Sequence, residues 1–112
     1  MLTYLATPYS HKDPRVRAER YRLVTIHAAK LMAAGEVVFS PITHGHAIVM
    51  LEELPLSWEF WKAQCDPYLQ KMDKMIVLMQ DGWWESVGVR YELQVAFDRD
   101  IPVFYHPLPE GL

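Results

Sequence analysis

The sequence predicts an α/β fold: three layers, with helices on both faces of a mainly parallel sheet of four to five strands. Three observations carry this. Short apolar runs such as VVF and MIVLM alternate with stretches of helical spacing. Asp-Pro pairs and a glycine punctuate the boundaries as helix-start and helix-stop signals. The length of 112 residues suits one domain with one core, so 1–112 are read as a single domain.

Residues 2–7, LTYLAT, read as a short buried strand that Pro8, Tyr9 and Ser10 break. Asp13 then caps a helix with Pro14 at its first position. Val16, Arg20, Leu23, Val24, His27, Ala28, Leu31 and Met32 keep helical spacing, and Gly35 ends the helix. EVVFSP, 36–41, is a second strand. ITHGHAIVMLEELPLS, 42–57, reads as a mixed loop, too long for a simple connector. WEFWKAQC, 58–65, reads as a short helix. At Asp66-Pro67 the cap-and-proline signal recurs, so a new helix starts there or an old one bends. Residues 74–79 are a third strand, QDGWWES a loop, 87–98 the last helix, 101–105 the last strand, and HPLPEGL a tail.

The order is thus β-α-β-(loop, α)-β-α-β. Strands alternating with helices pair in parallel and are covered on both sides, as in flavodoxin- and Rossmann-like sandwiches. Such folds bind ligands outside the carboxyl ends of their strands. Three loops meet there: 8–13, 41–57 and 80–86.

Composition narrows the function. Hydrophobic residues make up 51% and charged residues 22%, as in ordinary globular proteins. A formal charge of −3 gives no footprint for a nucleic-acid polymer. No apolar run is long enough for a membrane, and the first residues lack the charged start of a signal peptide. Cys65 is the only cysteine, so no internal disulfide or cysteine metal cluster forms. A cytoplasmic protein is the simplest expectation.

Within SVGVRYELQVAF, 86–97, Glu92 shares a helix face with Gly88, Val89, Val95 and Ala96. It leans toward Gly88, which has no side chain. That leaves a small space with a carboxylate aimed into it. Taken alone, a solvated glutamate paired with Arg90 or Arg99 is the more ordinary reading. A half-buried carboxylate serves as nucleophile or base, and a nucleophile must be kept ionised by donors. Tyr4, otherwise a core aromatic, can supply one. Ser86 is a helix N-cap, and a helix N-terminus with a hydroxyl and a glycine also suits phosphate.

Together these residues resemble the nucleoside 2-deoxyribosyltransferase superfamily. YLATPYS resembles its opening strand and turn. DKMIVLMQDGWWESVGVRYELQVAF resembles its later block, in which an aspartate, an apolar strand, a loop and a glycine precede the catalytic glutamate. Ser86, Gly88, Tyr91 and Glu92 match the S-x-G-x-x-Y-E pattern of the 2′-deoxynucleoside 5′-phosphate N-hydrolase branch.

The resemblance implies roles. Glu92 is the nucleophile at the anomeric carbon, and Tyr4 orients it. Asp66 hydrogen-bonds or protonates the base, although its spacing to Asp73 is one residue off the hydrolase pattern. Asp73 matches a structural aspartate. Ser86 and Gly88 bind the 5′-phosphate, and Pro8, Tyr9, His44 and Trp83 contact the substrate. The turn departs from the family in lacking its glycine. The implied activity is hydrolysis of the N-glycosidic bond of a (deoxy)nucleoside 5′-monophosphate by paired carboxylates. Base exchange by a transferase, or a nucleotide-binding module without turnover, are the alternatives. The tail lacks an obvious version of the segment with which true transferases complete a neighbour's site. The partner is a small nucleotide or nucleoside, with no nucleic-acid polymer, no membrane, no cofactor and no metal. A homodimer or higher homo-oligomer is implied as well.

Other residues stay open. His44 and His46 form a His-Gly-His pair, but without a third ligand it is weak as a metal site. Trp83 and Trp84 suit base stacking or a subunit interface. Trp58 and Trp61 make the middle segment unusual. His11, Arg15 and Arg17 lie where a phosphate would pass, or are simply solvated. Cys65 has no histidine or asparagine partner and reads as packing.

Overall fold

The computed structural model describes residues 1–55 and 57–109. Residue 56 of the expected middle loop and residues 110–112 of the expected tail lie outside them. The elements are β1 (Leu2–Ala6), α1 (Pro14–Ala33), β2 (Val37–Phe39), α2 (Pro41–Val49), α3 (Trp58–Leu69), β3 (Lys74–Leu78), α4 (Val87–Asp98) and β4 (Val103–His106). The four strands form one sheet in the order β2-β1-β3-β4, and every pair is parallel. The sheet is thus the all-parallel, lower-count version of the expected one.

Residue alternation divides the core into two layers. Tyr4, Ala6, Met75 and Val77 face one side, where Leu69 of α3 and Val89 and Ala96 of α4 cover them. Leu5, Ile76 and Leu78 face the other, under Val24 and Ala28 of α1. The register sets Tyr4 beside Met75 and Leu5 beside Ile76, so like faces lie together across the central pair.

The helix-end signals act as read at both ends of α1. Asp13 accepts from the Arg15 N–H at 2.9 Å, and Gly35 takes a φ of +97°, a conformation that costs glycine little. Asp73 is structural: its carboxylate accepts from the Leu2 N–H at 2.6 Å and its own N–H donates to the Leu2 carbonyl at 2.8 Å.

Two expectations fail in the middle of the chain. Pro41, expected to end the second strand, and residues 42–49, expected as loop, form α2 (Pro41–Val49), with Ser40 at the cap position and Pro41 at the first helical position. The same cap-and-proline signal stands at 40–41 as at 13–14. Nor does Asp66 start a new helix. α3 runs unbroken from Trp58 to Leu69 with Pro67 inside it. Packing of Leu69 in the core outweighs the backbone hydrogen bond that proline forgoes.

The loops at the carboxyl ends of β1 and β3 are tied together. The buried Gln80 amide donates to Thr7 Oγ1 at 3.1 Å and to the Arg20 carbonyl at 3.0 Å. Arg20 in turn donates to the carbonyls of Ser10 and Asp81, each at 3.0 Å. Among the described residues, no helix is long and apolar enough to cross a membrane.

Candidate active site

β1 and α4 meet at the Tyr4–Glu92 pair. β1 is a central strand, and its alternation turns Tyr4 toward α4. Ser86 caps α4 by accepting from the Val89 N–H at 3.2 Å, which fixes the helix phase that aims Glu92 back at the sheet. The Tyr4 hydroxyl donates to Glu92 Oε2 in a short hydrogen bond.

Glu92 is half-buried as a residue, but its carboxyl lies deep. Burial pushes that carboxyl up to about 8, and the bond from Tyr4 only partly opposes it. Tyr4 itself is pushed well above the usual tyrosine range, first by burial and then by the neighbouring Glu92. A nucleophilic carboxylate needs donors that keep it ionised. The structure supplies one, and in the free protein the proton stays on Glu92 near neutral pH.

Cys65 of α3 adjoins the same pair. Burial drives its thiol to about 11; the nearby Tyr4 hydroxyl opposes this, and the charges of Glu92 and Asp66 reinforce it. A thiol held protonated is not a nucleophile.

Asp66, the next residue, points elsewhere. It accepts from the Tyr91 hydroxyl at 2.6 Å and from Lys62 Nζ at 2.9 Å. Burial raises the Asp66 carboxyl, but the Tyr91 and Lys62 hydrogen bonds outweigh it and hold it below the usual aspartate range. Two carboxyl groups in neighbouring surroundings are therefore pushed in opposite directions.

The space over Gly88 has a wall that the sequence did not reveal. Trp58 lies there: a Cβ built on Gly88 would meet its ring at 3.8 Å and Ser86 Oγ at 3.8 Å. Trp58 also packs edge-on against Tyr91, with centroids 5.3 Å apart. Trp58, Lys62 and Asp66 are spaced four apart, one stripe along α3. The stripe is complete only because α3 continues through Pro67, where the sequence left a new start or a bend open.

The remaining expected residues divide. Pro8 is fully buried and offers a ligand no side-chain surface. Tyr9 shares a 2.6 Å hydrogen bond with His46 Nδ1, and Tyr21 stacks on the same ring at 4.2 Å. Those contacts tie α2 to α1 and to the first loop. His44 is exposed and lies 6.0 Å from the ring of Phe39, beside a cavity of about 30 Å³ that Cys65, Trp61 and Tyr68 also line. That volume holds a water molecule, not a base. Trp83 packs on Tyr105 of β4 at 5.5 Å, so it sits over a strand separated from that of Tyr4 by β3. The fold thus gathers Glu92, Ser86 and Gly88 of α4 and Asp66 of α3 around Tyr4 of β1, while Trp83 packs on the same core layer beside Tyr105. Among the described residues, no three His, Cys, Asp or Glu side chains cluster to hold a metal ion.

The arrangement compares with known proteins in three ways. No curated protein matches the chain. Among solved structures, a 2-deoxyribosyltransferase from the psychrotolerant bacterium Bacillus psychrosaccharolyticus is similar, with a TM-score of 0.68 and 21% sequence identity. The match covers 100% of this chain and 76% of that one, and at this identity it speaks for the α/β sandwich. A family model described as a domain of unknown function, DUF1937, matches residues 1–107, from the start of β1 past the end of β4. That span takes in Tyr4, Asp66, Ser86 and Glu92 alike, and the chain belongs to the DUF1937 family.

Proposed function

We propose that this protein cleaves the N-glycosidic bond of a (deoxy)nucleoside 5′-monophosphate, with Glu92 as the nucleophile and water as the final acceptor. The observation that carries the proposal is the hydrogen bond from Tyr4, on a central strand of the parallel sheet, to the buried carboxyl of Glu92 on α4. Glu92, once ionised, attacks the anomeric carbon, and the Tyr4 hydroxyl orients it by donating to Oε2. Asp66 faces the leaving base. The resulting sugar ester on Glu92 is then opened by water.

The 5′-phosphate belongs at the start of α4. Ser86 Oγ accepts from Val89, which leaves its hydrogen free to donate. The N–H groups of Val87 and Gly88 lead the helix, ahead of its first internal bond. Trp58 limits the space on the α3 side. Transfer of the sugar to a second base is the other reading. It is the activity named for the similar bacterial enzyme, and the same Glu92 intermediate serves it.

The test is direct. Wild type and Glu92→Ala are incubated with common 5′-deoxynucleotides and ribonucleotides, and free base is followed by chromatography. Release by wild type and none by the variant supports a glycosidase; adding a second base separates transfer from hydrolysis. Binding that survives Glu92→Ala, with no release from any nucleotide, leaves a binding module instead.

A further inference from the structure

We infer that Lys62, together with Tyr91, is a positioning residue that keeps Asp66 as the charged carboxylate of the site and leaves the site's proton on Glu92. The inference rests on the glycosidase reading for its consequence, but its geometry stands independently. Asp66 is faced by Lys62 on its own helix at 2.9 Å, by the Tyr91 hydroxyl from α4 at 2.6 Å, and by the adjoining Cys65. Lys62 also lies 5.0 Å over the Tyr91 ring, so cation and hydroxyl form one clamp on the two Asp66 oxygens. Glu92 is faced by Tyr4 from β1 and by Cys65 from α3, both uncharged. Among the described residues, no lysine or arginine pairs with Glu92; the one cation at the site is spent on Asp66.

Bond cleavage needs the opposite distribution. A Glu92 carboxylate oxygen bonds to the anomeric carbon, and the carbon–nitrogen bond breaks. Its electron pair goes to the base nitrogen, which takes up a proton. So one proton must leave Glu92 and one must reach the Asp66 side, with the total unchanged. Only the minor proton arrangement of the free site is reactive, a case of coupled titration in which a pH profile belongs to the pair. Lys62 sets how minor that arrangement is.

The experiment is a ¹³C NMR titration of the carboxyl carbons in the free protein, for wild type, Lys62→Gln, Lys62→Arg and Tyr91→Phe. It needs no substrate, so it remains decisive if no nucleotide is cleaved. In wild type Glu92 should hold its proton through neutral pH while Asp66 is ionised. In Lys62→Gln the Asp66 midpoint should rise by a few tenths of a pH unit, the scale of a half-exposed pair, and Lys62→Arg should restore it. Tyr91→Phe should move it the same way as Lys62→Gln. An Asp66 midpoint unmoved in both Lys62→Gln and Tyr91→Phe overturns the inference, as does a Glu92 carboxyl already ionised at pH 6. Where base release is measurable, the acid limb of its pH profile should follow the Asp66 midpoint; a uniform loss at every pH would mark Lys62 as merely structural.

Discussion

The Tyr4 hydroxyl on the central strand donates to Glu92 on the last helix, 88 positions along the chain. Neither residue is explained by packing alone. A phenylalanine would fill the Tyr4 position, and a glutamine would satisfy the tyrosine without a buried acid. The pair costs stability, and on the proposed reading it gives reactivity; substitutions can separate those two effects.

Tyr4→Phe keeps the ring in the core and removes the donor. The bond from Tyr4 is what pulls Glu92 down against burial, so its loss should move Glu92 further up. Base release should fall by about 10²-fold, and the alkaline limb of its pH profile, where the site loses its last proton from Glu92, should shift upward. A rate profile that drops without shifting would mean that Tyr4 does not act through Glu92.

Glu92→Gln should stabilise the fold in a pH-dependent way. The carboxyl titrates at about 8 in the folded protein against an ordinary 4.5. Between those values the folded state keeps a proton that the unfolded chain has lost, so stability falls as pH rises. The slope from this one group is roughly 1.4 kcal/mol per pH unit. Melting curves of the two proteins should agree near pH 4.5 and diverge toward pH 8, with the glutamine variant higher. Parallel curves would rule out a raised Glu92.

Ser86→Asp is the informative change at the cap. Aspartate caps a helix as well as serine and suits the positive end of the helix dipole. The melting temperature should therefore hold. A 5′-phosphate, however, would meet a second negative charge. Activity on nucleoside 5′-monophosphates should collapse relative to nucleosides, as read from the ratio of kcat/KM values. An unchanged ratio would place the phosphate elsewhere.

Gly88→Ala meets only ordinary contacts, 3.8 Å from Ser86 Oγ and from Trp58. Near the start of a helix the added methyl should raise stability by about 0.5–1 kcal/mol. The same methyl narrows the space beside Ser86, so the KM for nucleotides should rise. A variant that is more stable with unchanged KM would show that the space over Gly88 is not used.

The strands and the first and last helices were legible because their signals are local. Asp13-Pro14, Gly35 and Ser86 each act within one turn. The middle of the chain was not, for two reasons. The Ser40-Pro41 cap follows a strand so closely that it read as the strand's own end, and its serine bonds Thr43 Oγ1 rather than a backbone N–H. Pro67 carries the signature of a helix start, yet tertiary packing of Leu69 holds it inside one. The site followed the same division. Glu92, Ser86 and Tyr4 sit on correctly read elements, so the Tyr4–Glu92 contact and the Ser86 cap were legible. Trp58, Lys62 and the clamp on Asp66 depend on α3 running through Pro67, and they appear only once that helix is whole. Cys65 was seen as packing; its nearness to Tyr4 and Glu92 required the packing of α3 against the sheet.

The strand order described above also sets when the site can exist during folding. β1 lies at the centre of the sheet, between β2 and β3. Its bonds to β3 close a loop of the kind spanned by Thr7 and Leu78, 71 positions apart. Such closures are entropically costly and slow. Until α4 docks, Glu92 is not held against Tyr4, so the acid and its donor meet only when the longest-range contacts are made. Partly folded molecules would thus carry an ordinary, fully ionised glutamate in place of Glu92's buried acid. Reactivity of this carboxyl would appear late in refolding, together with the last of the sheet.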